Sequence, residues 1–359
     1  MQNIINLDYI NIKEKTLVER FITNKTIKKY ILGINKLTKS VLKHIEVDGI
    51  IDDFTRVQSS RKKEILKIDD VPKDSIILWV SNGSPLEVKN KLDELGYIHI
   101  SYMAFYKYSN LILAEPPFIS DFQDDFINNK EQYQQTFELL ADKKSKKVFE
   151  KVINFKISFD FDFMQGFTNN HEEQYFDCEL IAPITNITFV DGGAYVGDTL
   201  PNIIKNFPDF KKIYCIEPNS LHINIAKRDF ISYENIEFIN CGLGDKKSET
   251  IENNDTQNNC SHDYQGLNIN SLDNLIHEKI DFIKLDIEGA EQDAIEGARN
   301  IIKNYTPILA ICIYHKAEDW YKIPQKVLAI NTDYKIYLRH YMEGIYETVM
   351  YFIPIKKEL

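Results

Sequence analysis

The stretch FVDGGAYVGDTL, Phe189 to Leu200, continues the apolar run that begins at Ile187 and leads into LPNIIKNF, so a strand passes through glycines into a helix. Gly192, Gly193 and Gly197 let the backbone turn tightly and approach a ligand, and Asp191 ends the strand with a carboxylate. A strand feeding a helix in a parallel sheet offers ligands its carboxyl end. The pattern is D-G-G-A-x-x-G, not the G-x-G-x-x-G of dinucleotide folds. A pyrophosphate would meet Asp191 unfavourably, whereas a ligand carrying an amino group or a sulfonium would not. Taken alone, the loop fits a glycine-requiring turn equally well.

Downstream, the alternation of strand and helix runs almost to the end of the chain. KKIYCIEP reads as a strand, SLHINIAKRDF as a helix and IEFINCGLGD as a strand. The polar segment Ser248–His262 is expected to be irregular. After it come helix SLDNLIHE, strand IDFIKLDIEG, helix AEQDAIEGARNIIKN, strand PILAICIYH and helix DWYKIPQKVLAI. The last two strands, DYKIYLRHY and ETVMYFIP, are joined by a short turn containing Gly344 and are expected to pair antiparallel.

Upstream, KKYILGINKLTKSVLKHIEVDGIIDD, SIILWVSN, the helix PLEVKNKLDELGY and the apolar IHISYMAFY predict a smaller parallel sheet. Its first loop retains only Gly33 of a three-glycine fingerprint, with Asn35 and Thr38 at the other positions, where their side chains would obstruct a pyrophosphate. The aromatics Tyr102, Phe105, Tyr106 and Tyr108 suit either stacking on sugar rings or core packing. Between the two patterns lies charged, helix-favouring sequence such as DDFINNKEQYQQTFELLADKKSKKVFEKVINF. The expected organisation is therefore a small Rossmann-like α/β module over 1–115 with a degraded nucleotide fingerprint, a helical connector over 116–173, and a larger α/β domain over 174–359.

The 359 residues are 43% hydrophobic and 27% charged, which suits a folded globular chain. A formal net charge of -11 argues against nonspecific binding to nucleic acid or an anionic membrane surface, since like charges repel. Cys178, Cys215, Cys241, Cys260 and Cys312 are odd in number and include no C-x-x-C, a pattern of reduced thiols. With no signal-like N-terminus and no apolar run of membrane-spanning length, the chain is expected to be cytoplasmic.

Acidic residues recur at the strand ends. Glu217 lies twenty positions after Gly197 (217 − 197), the spacing at which a carboxylate accepts hydrogen bonds from ribose hydroxyls. Asp245, in GLGD, falls where an adenine edge would lie, although turn residues of this kind are common. Asp286, in FIKLDIEGAE, is favoured for function; Glu288 and Glu291 are favoured for capping the following helix. His315 follows the fifth strand of this pattern and suits a general base near neutral pH, with a satisfied structural histidine as the equal alternative. His340 is a weaker base candidate, and Arg339 suits either a substrate anion or the sheet surface. Asp286, Glu288, Glu291 and His315 are donor types that hold Mg²⁺, but no dense carboxylate cluster is visible, and no required metal is expected.

In this order VDGGAYVGDT, CIEPN, FIKLDIEGAE and ICIYHKAEDWYKIP resemble the FkbM family of S-adenosylmethionine-dependent methyltransferases, over roughly Gln174 to Pro354. The resemblance implies a class I methyltransferase fold with a seven-stranded sheet. It also implies O-methylation of a hydroxyl, commonly on a sugar or another hydroxylated metabolite such as a glycan precursor. By that resemblance Asp191, Gly193, Ala194 and Gly197 hold the aminocarboxypropyl part of S-adenosylmethionine, and Glu217 binds the ribose. Asp245, with the backbone near Cys241 and Gly242, borders the adenine, and Asp286 sits near the methyl-bearing sulfur. Two other classes stay open at this level: a nucleotide-dependent oxidoreductase or epimerase of nucleotide sugars, and a noncatalytic methyltransferase-like binding protein.

Overall fold

Apolar, β-branched runs between glycines and helix caps become the central strands of the sheets, and burial on both faces explains why these read as continuous hydrophobic text rather than alternating text. The structure, a computed structural model, describes residues 1, 3–53, 59–60, 63–246 and 268–355. The segment Ser248–His262, with Cys260, lies outside the described residues. The chain forms two compact units, one of residues 1–127, 149–169 and 341–346, the other of 128–148, 170–340 and 347–359.

Among the described residues the first unit holds six strands: β1 (Lys29–Leu32), β2 (Gly49–Ile51), β3 (Ser59–Ser60), β4 (Lys63–Leu66), β5 (Ile76–Trp79) and β6 (Ile98–Ser101). Their order is β3-β4-β2-β1-β5-β6, with every pair parallel except β3 with β4. The segment IHISYMAFY divides in two: Ser101 ends β6 and caps the helix Tyr102–Tyr108 by accepting from Ala104 N at 3.0 Å. That helix sends Tyr102 and Phe105 into the core, where Phe105 meets Phe21 edge-on at 5.6 Å. The aromatic run is thus packing at these two positions.

The second unit carries β7 (Thr188–Gly192), β8 (Lys212–Ile216), β9 (Ile236–Ile239), the short parallel pair β10 (Gly242–Leu243) and β11 (Ile269–Asn270), and then β12 (Phe282–Leu285), β13 (Ile308–Cys312), β14 (Tyr334–His340) and β15 (Thr348–Pro354). Seven of them form one mixed sheet in the order β14-β15-β13-β12-β7-β8-β9. β15 runs antiparallel to both β13 and β14, as the short Gly344 turn predicts, and the other neighbours are parallel. Register then decides which side chains meet. Opposed residues of neighbouring strands share a face, so Phe189 and Phe282 stack with ring centroids 4.6 Å apart, and Asp191 stands beside Lys284.

One expected helix is broken. AEQDAIEGARNIIKN forms Glu291–Glu296 and Arg299–Tyr305, separated at Gly297, where a Cβ would lie 1.9 Å from the Gly244 carbonyl oxygen. Only glycine permits that approach. Among the described cysteines, Cys215, Cys241 and Cys312 are buried and Cys178 is exposed, all as free thiols.

Candidate functional site

In the second unit the carboxyl ends of β7, β8, β12 and β13, with the loop after β9, surround a cavity of about 840 Å³. Four of the nine non-glycine residues with positive φ among the described residues, Tyr175, Tyr195, Glu288 and Glu347, line it. Such backbone strain concentrates at functional sites because the surrounding fold must hold it in place. The wall is acidic: Asp198, Glu217, Asp286, Glu288 and Glu347 contribute carboxyls, and among the described lining residues Lys284 is the one lysine or arginine.

The charge of Lys284 is already engaged. Its ammonium lies 2.9 Å from Asp191 Oδ1, with both side chains buried, and donates to the Gly193 carbonyl at 2.9 Å. Burial works against the ammonium, but Asp191 and then Asp286 outweigh it and hold Lys284 charged beyond its ordinary range. Asp191, expected to hold the aminocarboxypropyl group, is fully buried and off the cavity wall, and meets the glycine loop through Lys284. The loop itself is tight. Gly193 and Ala194 N–H groups donate to the Ile216 carbonyl at 2.9 and 3.1 Å, and a Cβ on Gly193, at φ +77°, would fall 1.8 Å from the Asp286 carbonyl oxygen. Gly193 lines the cavity. Ala194 is buried, and Gly197 packs on Ala226 and Phe230, with neither on the wall.

Glu217 ends β8 on the wall, where it accepts from Tyr195 N at 3.1 Å and Asn219 N at 2.8 Å. These bonds fix a carboxylate whose remaining lone pairs can receive hydroxyl donors. Cys241, Gly242, Leu243 and Ile269 form an apolar patch of the same wall. Asp245, by contrast, is more than half exposed, 3.9 Å from Lys246 and off the wall.

Past β12, both oxygens of Asp286 accept from tyrosines, Oδ2 from Tyr175 Oη at 2.9 Å and Oδ1 from Tyr314 Oη at 3.2 Å. Gln174 Nε2 donates to Glu347 Oε2. His315 is buried against carboxylates: Nδ1 lies 3.0 Å from Glu291 Oε1, and Nε2 lies 3.4 Å from Asp286 Oδ1 and 3.6 Å from Glu288 Oε2. Burial disfavours the charged ring, yet Glu291 above all, then Asp286 and Glu288, raise it to about 9. A ring protonated at neutral pH cannot take a proton, so the geometry opposes the general-base role expected for His315 and favours a cation that ties Glu291 to Asp286. Donor atoms of Asp286, Glu291 and His315 lie within 4.8 Å of one another, but this mutual ion pairing accounts for the cluster and we assign it no metal. Arg339 is committed to Asp177 and Asp142, each at 2.8 Å, and His340 bonds Thr348 Oγ1 at 2.9 Å. Neither presents itself as a substrate ligand.

Tyr175, Lys284 and Glu347 escape the sequence reading. A lysine inside the apolar FIKL run is the signal for Lys284, since a buried ammonium requires a partner. For Glu347 the signal is the antiparallel direction of β15, which delivers the residue before it to the edge where the parallel strands end.

In fold the chain is similar to a methyltransferase FkbM from Methylobacillus flagellatus KT, at TM-score 0.76 and 22% identity, covering 96% of this chain and 94% of that one. An rRNA methylase from Streptococcus thermophilus aligns at TM-score 0.36 and 16% identity over 52% of this chain and 96% of that one. Aeropyrum pernix fibrillarin, solved with natively bound S-adenosyl-L-methionine, aligns at TM-score 0.33 and 12% identity over 48% and 69%. No curated protein sequence matches the chain. Sheet, site and family match together define an enzyme of the methyltransferase class. More narrowly, residues 191–335 match the methyltransferase FkbM domain. Among the described residues no helix is long and apolar enough to cross a membrane.

Proposed function

We propose that this chain is a class I O-methyltransferase that uses S-adenosylmethionine to methylate a hydroxyl of a sugar or glycan precursor. The observation that carries the reading is the acidic wall at the carboxyl edge of the sheet, with Glu217 fixed on it by Tyr195 N and Asn219 N and the charge of Lys284 already engaged by Asp191. A sulfonium cation is favoured there and a pyrophosphate is not, which sets aside the nucleotide-dependent oxidoreductase reading.

The residues present fit the cofactor. The Gly193 loop, braced by Lys284, would take the aminocarboxypropyl group, Glu217 the ribose, the patch of Cys241, Gly242, Leu243 and Ile269 the adenine, and Asp286 the methyl-bearing end. The bound cofactor supplies an electrophilic methyl group. The chain supplies position: Tyr175 and Tyr314 hold Asp286 in one orientation, from which it would orient an acceptor oxygen for in-line approach.

Isothermal titration with S-adenosylmethionine and S-adenosylhomocysteine tests this, with NAD and a UDP-sugar as controls. Micromolar affinity for the first pair, near -8 kcal/mol, is expected. Glu217→Ala should weaken that affinity by roughly ten- to a hundredfold, about 1.4 to 3 kcal/mol, through lost ribose hydrogen bonds. Binding of NAD or the UDP-sugar in place of the first pair would sink the reading.

A further inference from the structure

Two carboxyl side chains, Asp286 and Glu347, share one region of the cavity wall, and donor atoms of Asp286, Glu347 and Cys312 lie within 4.8 Å of one another. Their surroundings differ. Asp286 has both oxygens occupied by tyrosine hydroxyls, with His315 beside Oδ1. Glu347 receives the Gln174 amide and otherwise opens to the cavity from a backbone at φ +64°. When two carboxyls meet in environments this unequal, one keeps its charge and the other exchanges the proton.

We infer that Glu347 is a catalytic residue that accepts the proton of the acceptor hydroxyl, while Asp286, with both oxygens bonded to tyrosines, stays fixed in place beside it. The inference rests on the cofactor reading above. In the transfer the hydroxyl oxygen forms a bond to the methyl carbon and the carbon–sulfur bond breaks with its electron pair left on sulfur. The O–H proton passes to the Glu347 carboxylate and from there to water, so charge and atoms balance.

Every element packed around Glu347 brings a titratable or polar group to it. Lys284 comes from β12 and Asp286 from the loop after it; Cys312 comes from β13, with Tyr314 and His315 following; Gln174 and Tyr175 come from the segment before β7. Burial first, then Asp286, raises the Glu347 carboxyl to about 7, against the opposing pull of Gln174, Lys284 and His315. A carboxylate with that affinity for a proton is matched to a base working near neutral pH.

The test needs no acceptor. Titrations of the full chain with S-adenosylmethionine and S-adenosylhomocysteine, between pH 6 and 8.5 and in buffers of different ionisation enthalpy, read both affinity and proton release. The two ligands differ in the sulfonium charge, which also makes the α-ammonium of S-adenosylmethionine the more acidic, so the contribution of Glu347 is read as the difference between the wild-type affinity ratio and that of Glu347→Gln. That difference should grow roughly tenfold in favour of wild-type binding of S-adenosylmethionine as Glu347 ionises, with excess proton release near pH 7. Glu347→Gln should remove the excess, and Glu347→Asp should restore it with a shifted midpoint. A pH dependence of the ratio that Glu347→Gln leaves unchanged overturns the inference. If Glu347→Gln does not fold, Glu347→Asp takes its place, and an unshifted midpoint of proton release overturns the inference. Failure of both ligands to bind would overturn the cofactor reading instead, a distinct result.

Discussion

Each unit has a glycine-bearing loop that leaves its first parallel strand, and the two loops spend their polar groups differently. After β1, Asn35 Oδ1 accepts from Leu37 N and Thr38 N, its Nδ2 donates to the Val80 carbonyl, and Thr38 Oγ1 donates back to the Gly33 carbonyl. The loop satisfies itself, and Asn35 caps the helix Lys36–Val41. After β7, the helix Leu200–Asn206 has no side-chain cap bond, and Tyr195, Asp198 and Thr199 face the cavity. The bracing of that loop comes from Lys284, on the adjacent strand. A shared strand-to-helix geometry thus gives a closed turn where local side chains consume the donors, and an open one where support comes from across the sheet.

Removing the distant support should break this contrast most severely. Lys284→Ala leaves Asp191 buried without its ammonium, a change expected to cost about 3–5 kcal/mol, measured by chemical denaturation. A variant as stable as the parent would show that the pair does not organise the loop. Next in size is pH. His315 is raised from 6.5 to about 9 in the folded chain, so its contribution is complete below pH 6.5 and is lost as pH climbs through 9. Stability should fall by up to about 3 kcal/mol over that interval, and His315→Gln should flatten the alkaline limb; an unchanged limb would place the titration elsewhere. The smallest effect belongs to the closed loop. Asn35→Ala should cost about 1 kcal/mol, the usual loss for a helix cap, with S-adenosylmethionine affinity unaltered. Weaker cofactor binding in that variant would blur the division between the two loops.

Much of this was legible in the sequence because it depends on local pattern. Gly193 at positive φ, Glu217 at the end of β8 and Asp286 after β12 stand where strand ends and spacing put them, and all three line the cavity. Groups set by register were not legible. Spacing along the chain cannot tell that Asp191 sits opposite Lys284 across β7 and β12, or that three carboxylates converge on His315 and reverse its protonation. Asp245 shows the limit from the other side: it follows β10, close in sequence to wall residues Gly242 and Leu243, yet its side chain turns to solvent. Tyr175 and Glu347 enter from segments flanking the motif-bearing stretch, where no periodicity points inward.

Amine-reactive reagents attack the neutral form of lysine, and Lys284 is both almost wholly enclosed and held as the ammonium by Asp191. That amine stays silent while the centre of the second sheet is intact. Its modification dates the moment at which β7 and β12 part, which makes one buried cation a covalent clock for the opening of the catalytic unit.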